Sequence, residues 1–497
     1  MLLVQNVPSW SILSLIICGV ISAALPKQAA RYLAWISSLA VGCMNIWLCR
    51  YFLAGGKEFT YSMGHYGAPF GNELRAGLLE SGTAVIFCFV MFLSLIGGYS
   101  HIKHDVPDKK GSLYYVSTTF LLCSMLALVY TNDLFTAYVF IEINTITACG
   151  IIVSRDNRKA LAAAIRYLIM SLVGSGLFLL GICIMYGTTG HLLMEPMRDF
   201  VLALPKGSTS LVAVNVAMAL FAVGMALKSA LWPFHNWLPE AHSNATATSS
   251  ALLSGLVLKA FIFLLIKVMY RVMGIRFGDM HEILDVLLVF GAAAMIMGSV
   301  NAIREKDLKR MLAYSSVGQI GYIYLGIGMG SLAGIQAAVI QILVHAITKG
   351  MLFISSGGIM DVSGGSKKMK DIRGAGLRDP FAGAAFFVGS MSMIGIPFFA
   401  GFTEKYALVW GAVQQSGWRM YVCLIAIIVS TLLTAIYYIM VLSVILRGDG
   451  RPHERMKAKT NPAYVIAIII FIVLNIATGV NIDLLMNLIR QGFAMFA

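Results

Sequence analysis

Long apolar stretches separated by short polar connections dominate the chain. Most of them have roughly the 20 residues that an α-helix needs to cross the hydrocarbon core of a bilayer. The pattern therefore predicts an all-α polytopic membrane protein with about 14 transmembrane helices. The predicted segments are 8–26, 31–53, 79–98, 113–131, 133–153, 162–187, 211–240, 246–270, 283–302, 310–330, 332–360, 380–403, 404–446 (helical mainly from 419) and 461–487.

Composition supports a membrane protein and argues against a soluble one. Of the 497 residues, 59% are hydrophobic and 12% are charged, whereas soluble domains have about 25% charged residues. The eight cysteines are scattered and include no CxxC pair. We therefore expect no iron–sulfur or zinc site, no disulfide framework and no bound cofactor.

The distribution of Lys and Arg predicts an orientation. If the segments alternate across the membrane, the connections on one side carry more than twice as many of these residues as those on the other. The positive-inside rule then places both termini on the non-cytoplasmic side. The net charge of +14 is thus explained by topology, and a nucleic-acid partner is not expected.

Four lysines lie inside apolar segments, at positions 228, 259, 349 and 405. An ionised side chain at bilayer depth costs at least about 2.5–3.5 kcal/mol, and such residues are commonly functional. Lysine can lose its proton when buried, whereas arginine stays charged. The set therefore favours a proton relay. The alternative is that each lysine forms a packing salt bridge or extends to an interface.

Acidic and imidazole groups accompany these lysines. Glu142 stands alone in the fifth segment, and Glu404 adjoins Lys405. His345 lies four residues before Lys349, so the two share one helix face. His235 follows the Trp232–Pro233 step. Carboxylates and imidazoles can hold protons between lysines, so these residues are candidates for the same relay.

Two segments contain predicted breaks. Pro233 interrupts segment seven shortly after Lys228, and Pro397 interrupts segment twelve before Lys405. Broken membrane helices commonly line hydrated cavities. The five-segment spacing of the breaks predicts two inverted five-helix repeats, although two ordinary proline kinks would leave the same pattern. The predicted units are 1–110 (helices 1–3), 111–275 (helices 4–8), 276–446 (helices 9–13) and 447–497 (helix 14).

Several motifs resemble one known family. They are GMALKSALWPFHNWLPEAH, SALLSGLVLKAF, EKDLKRMLAYSSVGQIGY, HAITKGMLFISSG and PFFAGFTEKY, and the resemblance spans roughly residues 110–440. The chain resembles the antiporter-like, proton-translocating subunits of respiratory complex I (an NADH-quinone oxidoreductase), multisubunit Mrp cation/proton antiporters, and membrane-bound hydrogenase and formate hydrogenlyase complexes. The resemblance implies the same fourteen-helix fold with inverted repeats.

The resemblance also implies roles for individual residues. Glu142 and Lys228 would form an ion pair whose opening sends the lysine's proton to Lys259. His345 and Lys349 would form the central relay, and Lys405 its terminal site. Two positions depart from the pattern of many members, because Ser254 and Gln341 stand where histidines are common. These departures favour a hydrogenase-type or Mrp-type complex over complex I. They also predict a relay that depends more on water.

The leading expectation is a proton-translocating subunit in the plasma membrane of a bacterium or archaeon. Its partners would be further membrane subunits, and redox chemistry or an ion gradient in those subunits would supply the energy. Protons would move through the chain, with Na⁺ possible only in the assembled complex. The alternatives are a non-conducting scaffold subunit and a self-sufficient Na⁺/H⁺ exchanger.

Overall fold

The computed structural model describes residues 2–67, 71–274, 279–448 and 461–496. Arg276 and the cations predicted for the connection 451–459 lie outside these ranges. The first half contains α1 (Leu2–Gln5), α2 (Val7–Ala24), α3 (Lys27–Leu53), β1 (Phe59–Ser62), β2 (Glu73–Ala76), α4 (Leu78–Gly97), α5 (Tyr99–Asp105), α6 (Asp108–Tyr130), α7 (Leu134–Val153), α8 (Arg158–Thr189), α9 (Met194–Ala203), α10 (Thr209–Lys228), α11 (Trp237–Asn244), α12 (Ala247–Leu252) and α13 (Leu258–Met273). The second half contains α14 (His281–Arg304), α15 (Leu308–Gly328), α16 (Leu332–Asp361), α17 (Ala375–Arg378), α18 (Pro380–Ile394), α19 (Ala400–Val413), α20 (Trp418–Leu446), α21 (Pro462–Val480) and α22 (Ile482–Ala494).

Twelve helices of the described residues are long and apolar enough to cross a membrane. The predicted all-α, multi-pass membrane fold is therefore confirmed. The remaining predicted segments correspond to α15 and to the pair α18–α19. The number of fourteen crossings, the division into units and the inverted relationship of the repeats stay predictions.

A small antiparallel hairpin is the exception to the helical pattern. Strands β1 and β2 pair with Phe59 opposite Ala76 and Ser62 opposite Glu73. The hairpin occupies the polar connection between α3 and α4, outside every apolar segment. The sequence analysis located helices from apolar stretches of about 20 residues. A polar connection carries no such signal, so the hairpin was not predicted.

Two helical elements form the centre of the bundle. The span Ala247–Met273 and helix α16 are wholly buried over their most apolar windows. The first of them joins α12 to α13 through a π-helical turn at Leu253–Val257. A helix that is apolar on every side is stable only when other helices surround it. These two elements carry three of the six residues of the predicted relay: Lys259, His345 and Lys349.

Contacts between connections define two faces of the bundle. On the first, which we call the cation-rich face, Lys27 pairs with Asp108 (Nζ–Oδ1 2.9 Å) and Lys367 pairs with Asp307 (Nζ–Oδ2 3.1 Å). On the other, called the opposite face, β2 bridges to Thr131. The two faces match the alternation assumed from the sequence. Which face is cytoplasmic stays a prediction.

Candidate functional site

Lys228 is the last residue of α10 and is completely buried. Its Nζ atom donates a hydrogen bond to Thr145 Oγ1 on α7 at 2.7 Å and lies 4.9 Å from the ring centre of Phe261. The helix therefore ends at the lysine itself, earlier than the Trp232–Pro233 step suggested. Ala230 follows with a φ of +58°, a left-handed conformation that cannot continue the helix.

The predicted Glu142–Lys228 ion pair is not formed in this structure. No carboxylate oxygen of the described residues lies within 4.0 Å of Lys228 Nζ. Glu142 is half-buried on α7, one turn from Thr145, and is close enough for its charge to act on the ammonium group. The hydroxyl of Thr145 takes the place expected for the carboxylate.

Lys259 is completely buried next to the π-helical turn. Its ammonium group donates to the backbone oxygen of Ser254 within that turn. The Ser254 hydroxyl in turn contacts Ser316 Oγ on α15 at 2.7 Å. At the position where many members of the family carry a histidine, this chain thus has a hydroxyl pair that joins two central helices.

Lys349 continues this series of contacts from α16. Its Nζ atom donates to Leu312 O at 2.9 Å, and the same oxygen accepts from Ser316 Oγ at 3.0 Å. Lys349 also reaches the hydroxyl of Tyr438 at 3.4 Å. Ser254, Ser316 and the Leu312 carbonyl therefore bring Lys259 and Lys349 into one polar cluster.

His345 lies in this centre without a direct partner. It is 1% exposed, and neither ring nitrogen has a hydrogen-bond partner among the described residues. Gln341, one turn earlier, donates from Nε2 to Gln319 Oε1 at 2.5 Å. Buried imidazole nitrogens normally find partners, so this ring is available to water or to a moving proton.

Lys405 lies on α19, immediately after the second break. Its Nζ atom donates to Ile394 O at 2.5 Å and to Met393 O at 3.2 Å. These carbonyls end α18 and have no partners within that helix, so they present the negative end of its dipole. Gly395, with a φ of +88°, ends α18 at this point.

Glu404 and Lys405, which are adjacent in the sequence, are likewise not in contact. Within the described part of the chain, Lys405 Nζ has no carboxylate oxygen nearer than 4.0 Å. Glu404 is 2% exposed, and its Oε1 atom has no hydrogen-bond partner among the residues that the structure describes. Adjacent residues on a helix point in directions about 100° apart, which separates the two side chains.

The prolines of both breaks lie at the surface of the bundle, since Pro233 and Pro397 are both exposed. A hydrated cavity that reaches the buried lysines at the breaks stays a prediction. A cleft of about 360 Å³ beside the first break is bounded by Arg166, Pro233 and Trp237. His235 is buried with its ring 6.0 Å from that of Tyr314.

Several charges outside the predicted relay are also buried. Glu80, Lys267, Arg271 and Lys309 lie near the ends of apolar segments or in a connection, where water is expected to reach them, but all four are at most 2% exposed. Lys259, Lys267 and Arg271 recur at multiples of four residues in one apolar stretch. Their shared spacing with Lys259 could have indicated that Lys267 and Arg271 lie on the same buried helix face.

Comparisons with known proteins agree with this architecture. A family model described as "NADH:quinone oxidoreductase/Mrp antiporter, TM" matches residues 131–434. "NADH-quinone oxidoreductase subunit N" of Desulforudis audaxviator (strain MP104C) is 33% identical over 413 residues, which cover 82% of this chain and 80% of that protein. "Putative antiporter subunit mnhD2" of Staphylococcus aureus (strain MRSA252) is 27% identical over 439 residues, covering 88% and 84%.

Two solved structures share the fold. A chain of the membrane-bound sulfane sulfur reductase, an archaeal respiratory membrane complex, superposes with a TM-score of 0.85 at 23% identity, covering 100% of this chain and 98% of that one. A chain of the Mrp complex from Dietzia sp. DQ12-45-1b gives 0.87 at 21% identity, covering 99% and 97%. The family match spans every residue of the predicted relay, from Glu142 to Lys405. The chain therefore belongs to the NADH:quinone oxidoreductase/Mrp antiporter family of membrane subunits.

Proposed function

We propose that this chain is a proton-translocating, antiporter-like subunit of a multisubunit membrane complex. The polar cluster that joins Lys259 to Lys349 through Ser254, Ser316 and the Leu312 carbonyl carries this proposal. A non-conducting scaffold has no need of costly buried lysines. Because lysine is a donor when charged and an acceptor when neutral, Lys259 and Lys349 can each release and take up a proton. The carbonyls of Ser254 and Leu312 only accept hydrogen bonds, so water would carry the proton between the two lysines.

The order of transfer follows the fold. Glu142 acts on Lys228 at the first break, Lys259 and Lys349 form the centre, and Lys405 is the site at the second break. His345, with two unpartnered nitrogens, accepts a proton between the central lysines. Water completes the hydrogen-bonded path, because the described contacts leave gaps at Lys228 and at His345.

The position of Glu142 supports assembly with partner subunits. A half-buried carboxylate on a membrane-spanning helix is costly against lipid, and a neighbouring subunit would cover it. Relatives named as subunits of a quinone oxidoreductase and of an antiporter agree with this view. Redox chemistry or an ion gradient in the partners would supply the energy, and any Na⁺ would move in the assembled complex.

We favour an Mrp-type or hydrogenase-type complex over complex I, because Ser254 and Gln341 carry hydroxyl and amide groups at positions where histidines are common. The same proposal places the protein in the plasma membrane of a bacterium or archaeon, with both termini on the non-cytoplasmic side. Purification of the complex in mild detergent, followed by identification of the co-purifying subunits, tests this choice. Recovery of complex I subunits alone would contradict it.

Proton uptake into sealed vesicles that contain the intact complex tests the function. Lys228→Ala should abolish uptake per assembled complex, whereas Lys370→Ala, which removes an exposed loop lysine, should leave it unchanged. Normal uptake by Lys228→Ala would contradict the proposed function. Blue-native electrophoresis of both variants establishes that equal amounts of complex are compared.

A further inference from the structure

A second group of buried charges lies near the opposite face, away from the predicted relay. It is formed by Glu80 in the first turn of α4, Lys267 and Arg271 on α13, and Arg75 on β2. None of the four side chains is more than 5% exposed. Glu80 lies outside the segment 131–434 that the family model matches.

The contacts of Lys267 are those of a relay lysine. Its Nζ atom donates to Val129 O at 2.5 Å, and Val129 is the penultimate residue of α6. Its carbonyl is among the last four of that helix, which have no partner within it. Lys405 is held in the same way by the last carbonyls of α18.

Glu80 lies close enough to Lys267 to affect its charge without contacting it, as Glu142 does with Lys228 and Glu404 with Lys405. Its charge acts on Lys267, yet no oxygen of a described carboxylate lies within 4.0 Å of that ammonium group. Glu80 Oε2 has no hydrogen-bond partner in the described part of the chain. Three pairs therefore share this geometry: Glu142 with Lys228, Glu404 with Lys405, and Glu80 with Lys267.

Polar groups lead from the region of Lys228 part of the way toward this third pair. Asn144 adjoins Thr145, the partner of Lys228, and donates from Nδ2 to Ser124 Oγ on α6 at 2.9 Å. Ser124 precedes Val129 by little more than one turn of α6. Lys267 also lies two turns beyond Lys259 on α13, about 12 Å at 1.5 Å per residue.

The surroundings also offer a way out to the opposite face. Arg271 donates to Asn132 Oδ1 at 3.0 Å, and Asn132 Nδ2 donates to Glu73 Oε1 at 2.5 Å. Glu73 is half-buried on the hairpin. Arg75 acts on both members of the pair, and Tyr130 is near enough for the charge of Glu80 to act on it. The further charged or titratable groups of this region are Arg271, Glu73, Cys49 and Cys88. The arginines keep their charge, so proton exchange falls to Glu80 and Lys267.

We propose that Glu80 and Lys267 form a further proton-exchange site, through which the relay communicates with the opposite face. This inference rests on the proposed function. The site would receive a proton from the region of Lys228 and Lys259, along α6 and α13, and pass it outward past Arg271 and Asn132.

The variant Lys267→Arg gives the sharpest test, because arginine keeps the positive charge and the donor but cannot release a proton. We expect uptake per assembled complex to fall by roughly 100-fold, the lower end of what a positioned proton-transfer group contributes. Undiminished uptake by Lys267→Arg would overturn the proposal. The double variant Glu80→Gln/Lys267→Met removes both charges together. It should also lose uptake, whereas a purely structural pair would leave uptake intact in this variant.

The ion pair between Arg419 and Asp285 (Nη2–Oδ1 2.7 Å) provides the matched control, because it lies at the same face but is partly exposed. The variant Asp285→Asn/Arg419→Gln should keep normal uptake, and its loss would contradict a specific role for Glu80 and Lys267. Lys228→Ala is measured in parallel. Loss of uptake in Lys228→Ala with normal uptake in Lys267→Arg would overturn this inference alone. Normal uptake in Lys228→Ala would overturn the proposed function itself.

Discussion

The two helix breaks hold their lysines in different ways. At the first break, Lys228 closes the helix that precedes the break and donates to the hydroxyl of Thr145. At the second, Lys405 belongs to the helix that follows the break and donates to two carbonyls that end α18. The first lysine has a side-chain acceptor that can rotate, and the second has backbone acceptors fixed by a helix end.

This difference predicts that Lys228 and Lys405 have different roles at the two breaks. A hydroxyl can turn from acceptor to donor, so Lys228 can lose its proton without leaving a buried group unpaired. The carbonyls of Met393 and Ile394 can only accept, so loss of the proton from Lys405 weakens the contacts at the end of α18. We therefore expect Lys228 to exchange protons more readily, and Lys405 also to stabilise its break.

The largest structural effect is expected at Gly401, because a Cβ added there would lie 1.7 Å from Ser392 O. Gly401→Ala should push α19 away from α18, with a loss of about 1–3 kcal/mol or more. The yield and thermal midpoint of the purified complex measure this. Gly187→Ala is the control, since a Cβ there meets nothing within 4 Å. Equal stability of the two variants would contradict the tight packing described for the second break.

Replacing each lysine by methionine separates the two breaks directly. Lys405→Met leaves two buried carbonyls without their donor, at a cost of about 1–3 kcal/mol. Lys228→Met should cost less, because Thr145 still donates to Ile141 O at 2.9 Å. Thermal unfolding of the two variants in the same detergent shows which substitution lowers the stability of the complex more. A Lys228→Met complex that is less stable than the Lys405→Met complex would contradict the comparison.

The role of the hydroxyl at the first break is tested by Thr145→Val, which removes the acceptor and keeps the shape. A hydrogen bond to a charged group is worth about 1.5–3 kcal/mol, so uptake should fall by about tenfold or more. Thr147→Val on the same helix is the matched control, because the hydrogen bonds of Thr147 to described residues all stay within its own helix, at Ile143 O and Asn144 O. Equal uptake by the two variants would show that Lys228 does not depend on this hydroxyl.

The smallest effect is expected for Trp237→Phe, also at the first break. Trp237 Nε1 donates to Leu227 O at 3.3 Å, near the end of α10. Loss of this bond should lower stability by about 0.5–1.5 kcal/mol and leave uptake unchanged. Thermal unfolding measures the expected loss of stability, and proton uptake measures whether transport is unchanged. An effect on uptake as large as that of Thr145→Val would mean that α11 positions Lys228.

Much of the fold was predictable from the sequence, because membrane helices can be recognised by their length and apolarity. The break at Gly395–Pro397 was predicted, and Lys405 was placed immediately after it. The end of α10 was missed because it depends on the left-handed conformation of Ala230, which no motif indicates. The hairpin was missed because it lies in a polar connection.

The candidate site was less predictable than the fold. Isolated lysines in apolar segments can be recognised, but their hydrogen-bond acceptors depend on which helices pack together. Thr145 and the carbonyls of α18 could not be identified for that reason. The burial of Glu80 and Lys267 could not be predicted, because a charge near the end of an apolar segment is usually exposed. Here both side chains are at most 1% exposed, and Lys267 contacts the last turn of α6.

Proton uptake by Lys228→Ala and Lys405→Ala, measured singly in sealed vesicles at equal amounts of assembled complex, tests whether one proton path joins the two breaks. If the buried lysines form one continuous path, each substitution alone should abolish uptake, despite the distance between the two breaks. If either variant keeps a substantial part of the wild-type uptake, the two breaks do not serve a single path, and the proposal of one continuous relay is wrong.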